Sequence, residues 1–332
     1  MNFSKRLLLT ISLLLTFKVG AMVSPIPPNV IYGEDDRQEA RLYPDREFRE
    51  KAESVAGLVE DYRLGRNGDS YRFAKISAED FIGLCPDERF SQQNVLPICT
   101  GVLIGPDLLA TAGHCVSNQS DCEDFFYAFG HHKGVERLSK EQVYKCEKLI
   151  ETQNFESETE LKDYALIQLD RKVVDRRPLK VRTEGHLGGG MPLVVIGHPM
   201  GLPLKISDGG KTQRVNFFTK GLGSISPSNR MLKDKDRFKA NVDTFGGNSG
   251  SPVFNREKGV VEGLLSRGEN DFFTPDGESC RRAVRLDNDE ASEQVFRIDR
   301  IENIKGEIQS SYQRHNMLSP VVSDSADQGP GL

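Results

Sequence analysis

Short apolar runs, broken by glycine, proline and polar clusters, recur along the chain and predict strands over most of its length. A first group falls at residues 54–59, 99–104, 108–111, 125–130, 143–150 and 165–169. A second group falls at 192–197, 214–223, 238–242, 252–254 and 259–266, after a connection over 172–190. Residues 34–53 are dense in charge and contain Pro44, so they read as an extended arm or a short helix. Towards the C-terminus, Val295, Ile298, Ile301 and Ile304 recur every three residues, which places them near one helical face and predicts a helix over 291–314. The tail, 315–332, mixes Ser, Asp, Pro and Gly and is expected to be disordered. No internal repeat is present. The pattern therefore predicts an all-β fold with a C-terminal helix.

Residues 1–21 depart from this pattern. Lys5 and Arg6 precede an apolar run over 7–17, and Val19-Gly20-Ala21 supplies small residues for cleavage, as in a secretory signal. The run is too short to span a bilayer, and no later stretch is long and apolar enough, so no membrane span is expected after signal removal. Secretion or a periplasmic location is the expected destination. The formal charge of the whole chain is -5, and loss of Lys5, Arg6 and Lys18 takes it to -8, which argues against nucleic acid as a partner. Six cysteines in an exported chain point to disulfides. No Cys-x-x-Cys pair occurs, and no metal site is expected.

Candidate chemistry lies in three segments. Gly246-Gly247-Asn248-Ser249-Gly250-Ser251-Pro252 holds a serine in a glycine turn, Thr111-Ala112-Gly113-His114-Cys115 holds a histidine, and Asp163 opens the apolar run 164–169. A serine hydroxyl is a poor nucleophile at neutral pH; it needs a base within hydrogen-bond reach, and the base needs a carboxylate to fix its tautomer. Ser249, His114 and Asp163 supply those three groups. Glycines beside Ser249 permit a tight turn whose N–H groups converge on one point, where an oxyanion can sit. Each segment alone has a plainer reading: a hairpin loop, a core histidine, the start of a buried strand. The order His, Asp, Ser is that of the chymotrypsin double barrel and differs from the orders of subtilisin and the α/β-hydrolases.

With these motifs, the chain resembles the trypsin-like superfamily, and within it the bacterial branch of glutamyl endopeptidases and staphylococcal V8-like proteases. Cys99-Thr100-Gly101-Val102-Leu103-Ile104-Gly105-Pro106, Asp243-Thr244-Phe245, Val30-Ile31-Tyr32-Gly33-Glu34-Asp35-Asp36-Arg37 and Gly263-Leu264-Leu265-Ser266-Arg267-Gly268 carry the likeness, which runs from about residue 30 to 270. The resemblance implies two six-stranded antiparallel β-barrels, over roughly 54–175 and 185–285, in a protease domain spanning 30–290. It implies an exported, monomeric serine endopeptidase that acts on protein or peptide substrates without a cofactor, with Gly247 and Ser249 as oxyanion donors. It also implies a Cys99–Cys115 disulfide. Cys122–Cys146 and Cys85–Cys280 then follow by proximity and remainder. A catalytically silent binding protein and an esterase with the same triad are the alternatives. No room remains after residue 290 for a PDZ module.

Departures from the family pattern limit the transfer. Asn248 stands where chymotrypsin and its animal relatives have the aspartate that pairs with a freed N-terminus, so that activation switch is missing. Cleavage between Asn29 and Val30, which would release 22–29 as a propeptide, competes with cleavage after Ala21 alone. For specificity, the candidates are Asp243, Thr244, Leu265, Ser266, Arg267 and Gly268. Asp243, six residues before Ser249, fits a trypsin-like preference for basic side chains, yet the same motif also occurs in the glutamyl branch. The histidine that meets the substrate carboxylate in those enzymes is here Leu265, and Arg267, close by, reads either as a compensating cation or as a solvated side chain. Glu269 and Asp271 read either as negative charge at the pocket rim or as a surface loop. His186, His198 and the His131-His132 pair lack partners at metal spacing and read as structural or solvated.

Overall fold

The computed structural model describes residues 31–156, 161–184, 187–213, 236–268, 271–288 and 293–318. The signal, the Asn29/Val30 junction, the expected strand at 214–223, His186, Glu269 and the tail from residue 319 lie outside the described residues.

The first half is a closed antiparallel barrel. Its strands follow one another round the wall as Val143–Glu156, Leu161–Leu169, Leu108–Thr111, Cys99–Gly105, Val55–Glu60 and Phe125–Phe129, which pairs back to the first. Leu58, Leu103, Leu109, Tyr127, Phe129 and Ile167 fill the interior. Closure leaves no free edge, which is why nearly every residue of the central strands is buried on one face or the other. One hairpin is longer than the sequence predicts: Val143–Glu156 continues past residue 150, pairs Asn154 with Asp163, and projects a partly exposed end beyond the barrel.

The second half is expected as another six-stranded barrel. Among the described residues it is a seven-stranded sheet, a half-barrel consistent with that chymotrypsin-like fold, ordered Arg237–Ala240, Glu293–Arg297, Val261–Arg267, Pro252–Asn255, Pro192–Gly197, Lys205–Lys211 and Arg37–Glu39. Both ends of that list correct the sequence reading. Arg37–Glu39, read as part of an arm or short helix, is an edge strand paired with Lys205–Lys211, and the helix of that region is confined to Arg46–Ala52. Glu293–Arg297, read as the start of the C-terminal helix, is a strand hydrogen-bonded on both sides.

The helix therefore begins only at Ile304 and runs to Arg314. The three-residue spacing misled because it joins positions from different elements. Val295 belongs to a strand, Ile298 to a single 3-10 turn, and only Ile304 to the helix. A ladder on both edges of residues 293–297 outweighs a weak helical period. The helix buries Ile304, Ile308 and Tyr312 in a core shared by both halves, with Val102, Leu166 and Phe254 among its other members. Its last turn is fastened polar-side: the Ser311 hydroxyl donates to Asp107, and Arg314 makes two hydrogen bonds to the same carboxylate, at 2.7 and 2.9 Å.

All six cysteines are paired, as Cys85–Cys280, Cys99–Cys115 and Cys122–Cys146. These are the pairings expected from the resemblance and from proximity and remainder.

Candidate active site

Strand Leu108–Thr111 ends in the turn that carries His114, and strand Leu161–Leu169 passes beside it with Asp163. The Asp163 side chain is fully buried, and its two oxygens serve different parts of one neighbour. Oδ1 accepts the His114 backbone N–H at 2.9 Å, and Oδ2 faces the His114 Nδ1 at 2.9 Å. That geometry assigns the proton to Nδ1 and leaves Nε2 with a lone pair to act as a base. A further donor reaches Oδ2: the hydroxyl of Ser266, from strand Val261–Arg267 of the second half. Burial alone would raise the Asp163 carboxyl, but hydrogen bonds from His114 and Ser266 outweigh it and hold the group below its ordinary value. Ser266, expected as a substrate-strand residue, thus also fixes the orienting carboxylate.

The serine turn is gripped from both halves. Thr100, in the first barrel, donates its N–H to the Ser249 carbonyl at 2.8 Å and its hydroxyl to the Gly247 carbonyl at 2.8 Å. Gly250 donates to the Leu265 carbonyl at 2.7 Å in the second half. The Gly246 carbonyl accepts from the Met200 N–H at 2.5 Å, which turns the opposite side of that peptide, the Gly247 N–H, the other way. Among the described residues neither the Gly247 N–H nor the Ser249 N–H finds an acceptor. Two N–H groups without acceptors among the described residues, one on the serine and one two residues before it, are candidates for binding an anionic oxygen.

Two glycines here are obligatory on steric grounds. Gly247 has φ +95° and a Cβ there would lie 2.5 Å from the His198 carbonyl oxygen; Gly250 has φ +82° and its Cβ would lie 2.2 Å from that of Thr100. Asn248, between them, is buried and accepts from the Ser251 hydroxyl at 3.2 Å, so its side chain is engaged inside the turn. Residues 197–203 form the support beneath: Met200 takes φ +58° and its N–H holds the Gly246 carbonyl.

Ser249 lines a cavity of about 240 Å³ together with Thr244, Phe245, Gly246, Leu265, Ser266, Arg267, Gly268 and Asp271. Among the described residues no hydrogen bond joins Ser249 to His114; such contacts commonly tighten only when substrate is bound. Asp243 departs from its expected place. It is not in the cavity wall: Oδ1 accepts the Tyr32 N–H and Oδ2 the Asp36 N–H, both at 2.8 Å, so the carboxylate fastens the N-terminal strand to the back of the site. Burial pushes its carboxyl up to about 7 against the pull of those two donors. Thr244 also faces inward, its hydroxyl donating to Glu293 at 3.2 Å.

Arg267, at the cavity mouth, is ion-paired with Glu156 from the end of the long hairpin, and Arg237 shares that carboxylate at 3.4 Å. Asp271, read from sequence as negative charge at the pocket rim or as a surface loop, places a half-buried carboxylate in the cavity wall. Neither the grip of Thr100 nor the bond of Ser266 to Asp163 has a sequence signature, because each joins residues more than a hundred positions apart.

His131, His132 and His198 are all buried. His131 stacks on His198 with ring centres 5.7 Å apart, and the His198 Nδ1 faces the Leu202 carbonyl at 2.8 Å, so they are packed groups. The places among the described residues where histidine, cysteine and acidic side chains converge consist largely of disulfide sulfurs, which are not thiolate ligands.

The chain is similar to several known proteases. A curated relative, duodenase-1 of Bos taurus, is 27% identical over 191 residues, covering 54% of this chain and 72% of its own. Among solved structures, the VesB protease of Vibrio cholerae is 14% identical, covers 85% of this chain and 67% of that one, and has a TM-score of 0.46. A Glu endopeptidase solved in complex with MPD is 16% identical, covers 78% and 94% respectively, and has a TM-score of 0.43. The family model of the trypsin-like peptidase domain matches residues 99–264, a span that contains His114, Asp163 and Ser249. The chain belongs to the trypsin-like peptidase family, as a serine endopeptidase.

Proposed function

We propose that this is an exported endopeptidase in which Ser249 is the nucleophile, His114 the base and Asp163 its orienting carboxylate. The Ser249 Oγ attacks the peptide carbonyl carbon while its proton passes to the His114 Nε2. The carbonyl oxygen, now an oxyanion, takes hydrogen bonds from the Gly247 and Ser249 N–H groups, each worth roughly 3 to 4 kcal/mol at the transition state. His114 then gives the proton to the departing amine, and an acyl-enzyme remains. Water, deprotonated by the same imidazole, cleaves the ester and restores the serine.

The observation that carries this reading is the pairing of an oriented His114–Asp163 couple with a serine turn in which the Gly247 and Ser249 N–H groups have no acceptor among the described residues. Export is supported by the pairing of every cysteine, a state that persists in oxidising compartments, together with the signal-like residues 1–21. A fluorophosphonate probe tests the mechanism. Wild-type protein is expected to be labelled once per chain and Ser249→Ala not at all. Absence of labelling in correctly processed wild-type protein would return the chain to the reading of a silent binding protein.

A further inference from the structure

Asp271 is a carboxylate in the wall of the cavity beside Ser249, and its charge is only partly answered. Its Oδ2 accepts the Gly246 N–H at 2.5 Å, while among the described residues Oδ1 has no donor. The cations around it are committed elsewhere. Arg267, at the mouth, is paired with Glu156. Arg37 lies behind the wall, stacked 4.2 Å from the Phe245 ring centre and ion-paired with Asp35 at 2.7 Å. The rest of the lining is apolar or already engaged: Leu265, the Phe245 ring, which stacks on Phe272 at 5.1 Å, and Thr244, whose hydroxyl is given to Glu293.

A half-buried carboxylate with one open oxygen, in a pocket whose Arg267 is already ion-paired with Glu156, favours a ligand that brings a positive charge and N–H donors. It disfavours a ligand carboxylate by like-charge repulsion, and Arg267, the arginine of the described lining, would first have to leave Glu156. Burial raises the Asp271 carboxyl to about 6, against the pull of the Gly246 N–H and the Arg37 charge.

We infer that Asp271, and not Asp243, selects the substrate side chain that enters this cavity, and that it selects a cationic one, lysine or arginine, on the residue whose carbonyl Ser249 attacks. The inference rests on the peptidase mechanism proposed above. Asp243 has no part in selection because both of its oxygens are held by the N-terminal strand.

The test uses the full secreted protein and four fluorogenic peptide amides that differ only in Arg, Lys, Leu or Glu before the scissile bond. Fluorophosphonate titration counts active sites first. The expected result is a kcat/KM for Arg and Lys roughly 100-fold or more above Leu, with Glu lowest. Asp271→Asn should reduce the Arg-to-Leu ratio about 100-fold, whereas Asp243→Asn should keep it. Benzamidine gives a second reading that needs no turnover: it should raise the melting temperature of the wild type and not that of Asp271→Asn. Wild-type protein that takes the fluorophosphonate yet prefers Leu or Glu overturns the inference and leaves the mechanism standing. So does a ratio that follows Asp243→Asn instead. Wild-type protein that takes no fluorophosphonate at all overturns the mechanism itself, and the inference with it.

Discussion

Asp163 is surrounded by three donors, and they are unequal in kind. The His114 ring must be free to exchange a proton, the His114 N–H is fixed by the turn, and the Ser266 hydroxyl comes from the other half of the molecule. Removing that hydroxyl leaves one lobe of a fully buried carboxylate with the imidazole alone, so the carboxylate loses part of its orientation as well as a charge-assisted bond. Ser266→Ala is expected to lower kcat about 10-fold, and the rate of fluorophosphonate labelling should fall in step, since both need His114 aimed at Ser249. A labelling rate equal to wild type would remove Ser266 from this role. At this scale the sequence was most legible where chemistry forces a residue type. His114 and Asp163 meet as a couple, and the serine turn keeps Gly247 and Gly250, whose positive φ and close neighbours exclude a side chain. It was least legible for Asp243 and Asp271, because which of two nearby carboxylates enters the cavity depends on what donors the fold brings to each.

Among the elements, the N-terminal strand Ile31–Tyr32 and the stretch to Arg37 form a strap behind the site. Ile31 and Tyr32 pair in parallel with Arg285 and Leu286, Arg37 is buried against Phe245, and the Asp243 carboxylate clamps the N–H groups of Tyr32 and Asp36. Asp243→Ala leaves two N–H groups without their acceptor, a loss of about 1 to 3 kcal/mol for each that stays buried. Hydrogen exchange over residues 31–37 should quicken in that variant while the first barrel keeps its protection. Uniform protection across the strap would show that other contacts hold it. Several elements were readable in advance because a barrel strand is short, apolar and bounded by turn residues, as at Cys99–Gly105 and Pro192–Gly197. Arg37–Glu39 was not, since a charged strand at a sheet edge carries no apolar pattern. Nor was Glu293–Arg297, whose strand state comes from the two partners flanking it and not from its own spacing.

Across the whole molecule, the seam between the halves contains histidines without charge. His131 lies just after strand Phe125–Phe129 of the first barrel and His198 just after strand Pro192–Gly197 of the second half; their rings stack, His131 packs edge-on against Phe73, and the His131 carbonyl takes the Leu204 N–H at 2.8 Å. Burial holds His131 well below the ordinary histidine value and His198 down to about 3, with the charge of Lys205 adding to the effect in both. A folded-state value below the unfolded one means that the unfolded chain binds the proton first. The stability these groups give is complete above about pH 6.5 and is lost as pH falls from there towards their folded values. Asp243 and Asp271, raised to about 7 and about 6, act in the opposite sense and gain stability as pH falls towards the unfolded carboxyl range. The net pH profile of the wild type therefore mixes two signs, and a comparison between variants isolates one. His131→Phe keeps an aromatic ring beside Phe73 and His198 but removes one titrating group. Urea unfolding measured between pH 6 and pH 4 should show the wild type losing stability faster than this variant by about 1.4 kcal/mol per pH unit, the value of one proton. The carboxylate contributions are common to both proteins and cancel. Parallel curves would mean that His131 already carries its proton in the folded seam, and the two halves would then have to meet across a buried charge.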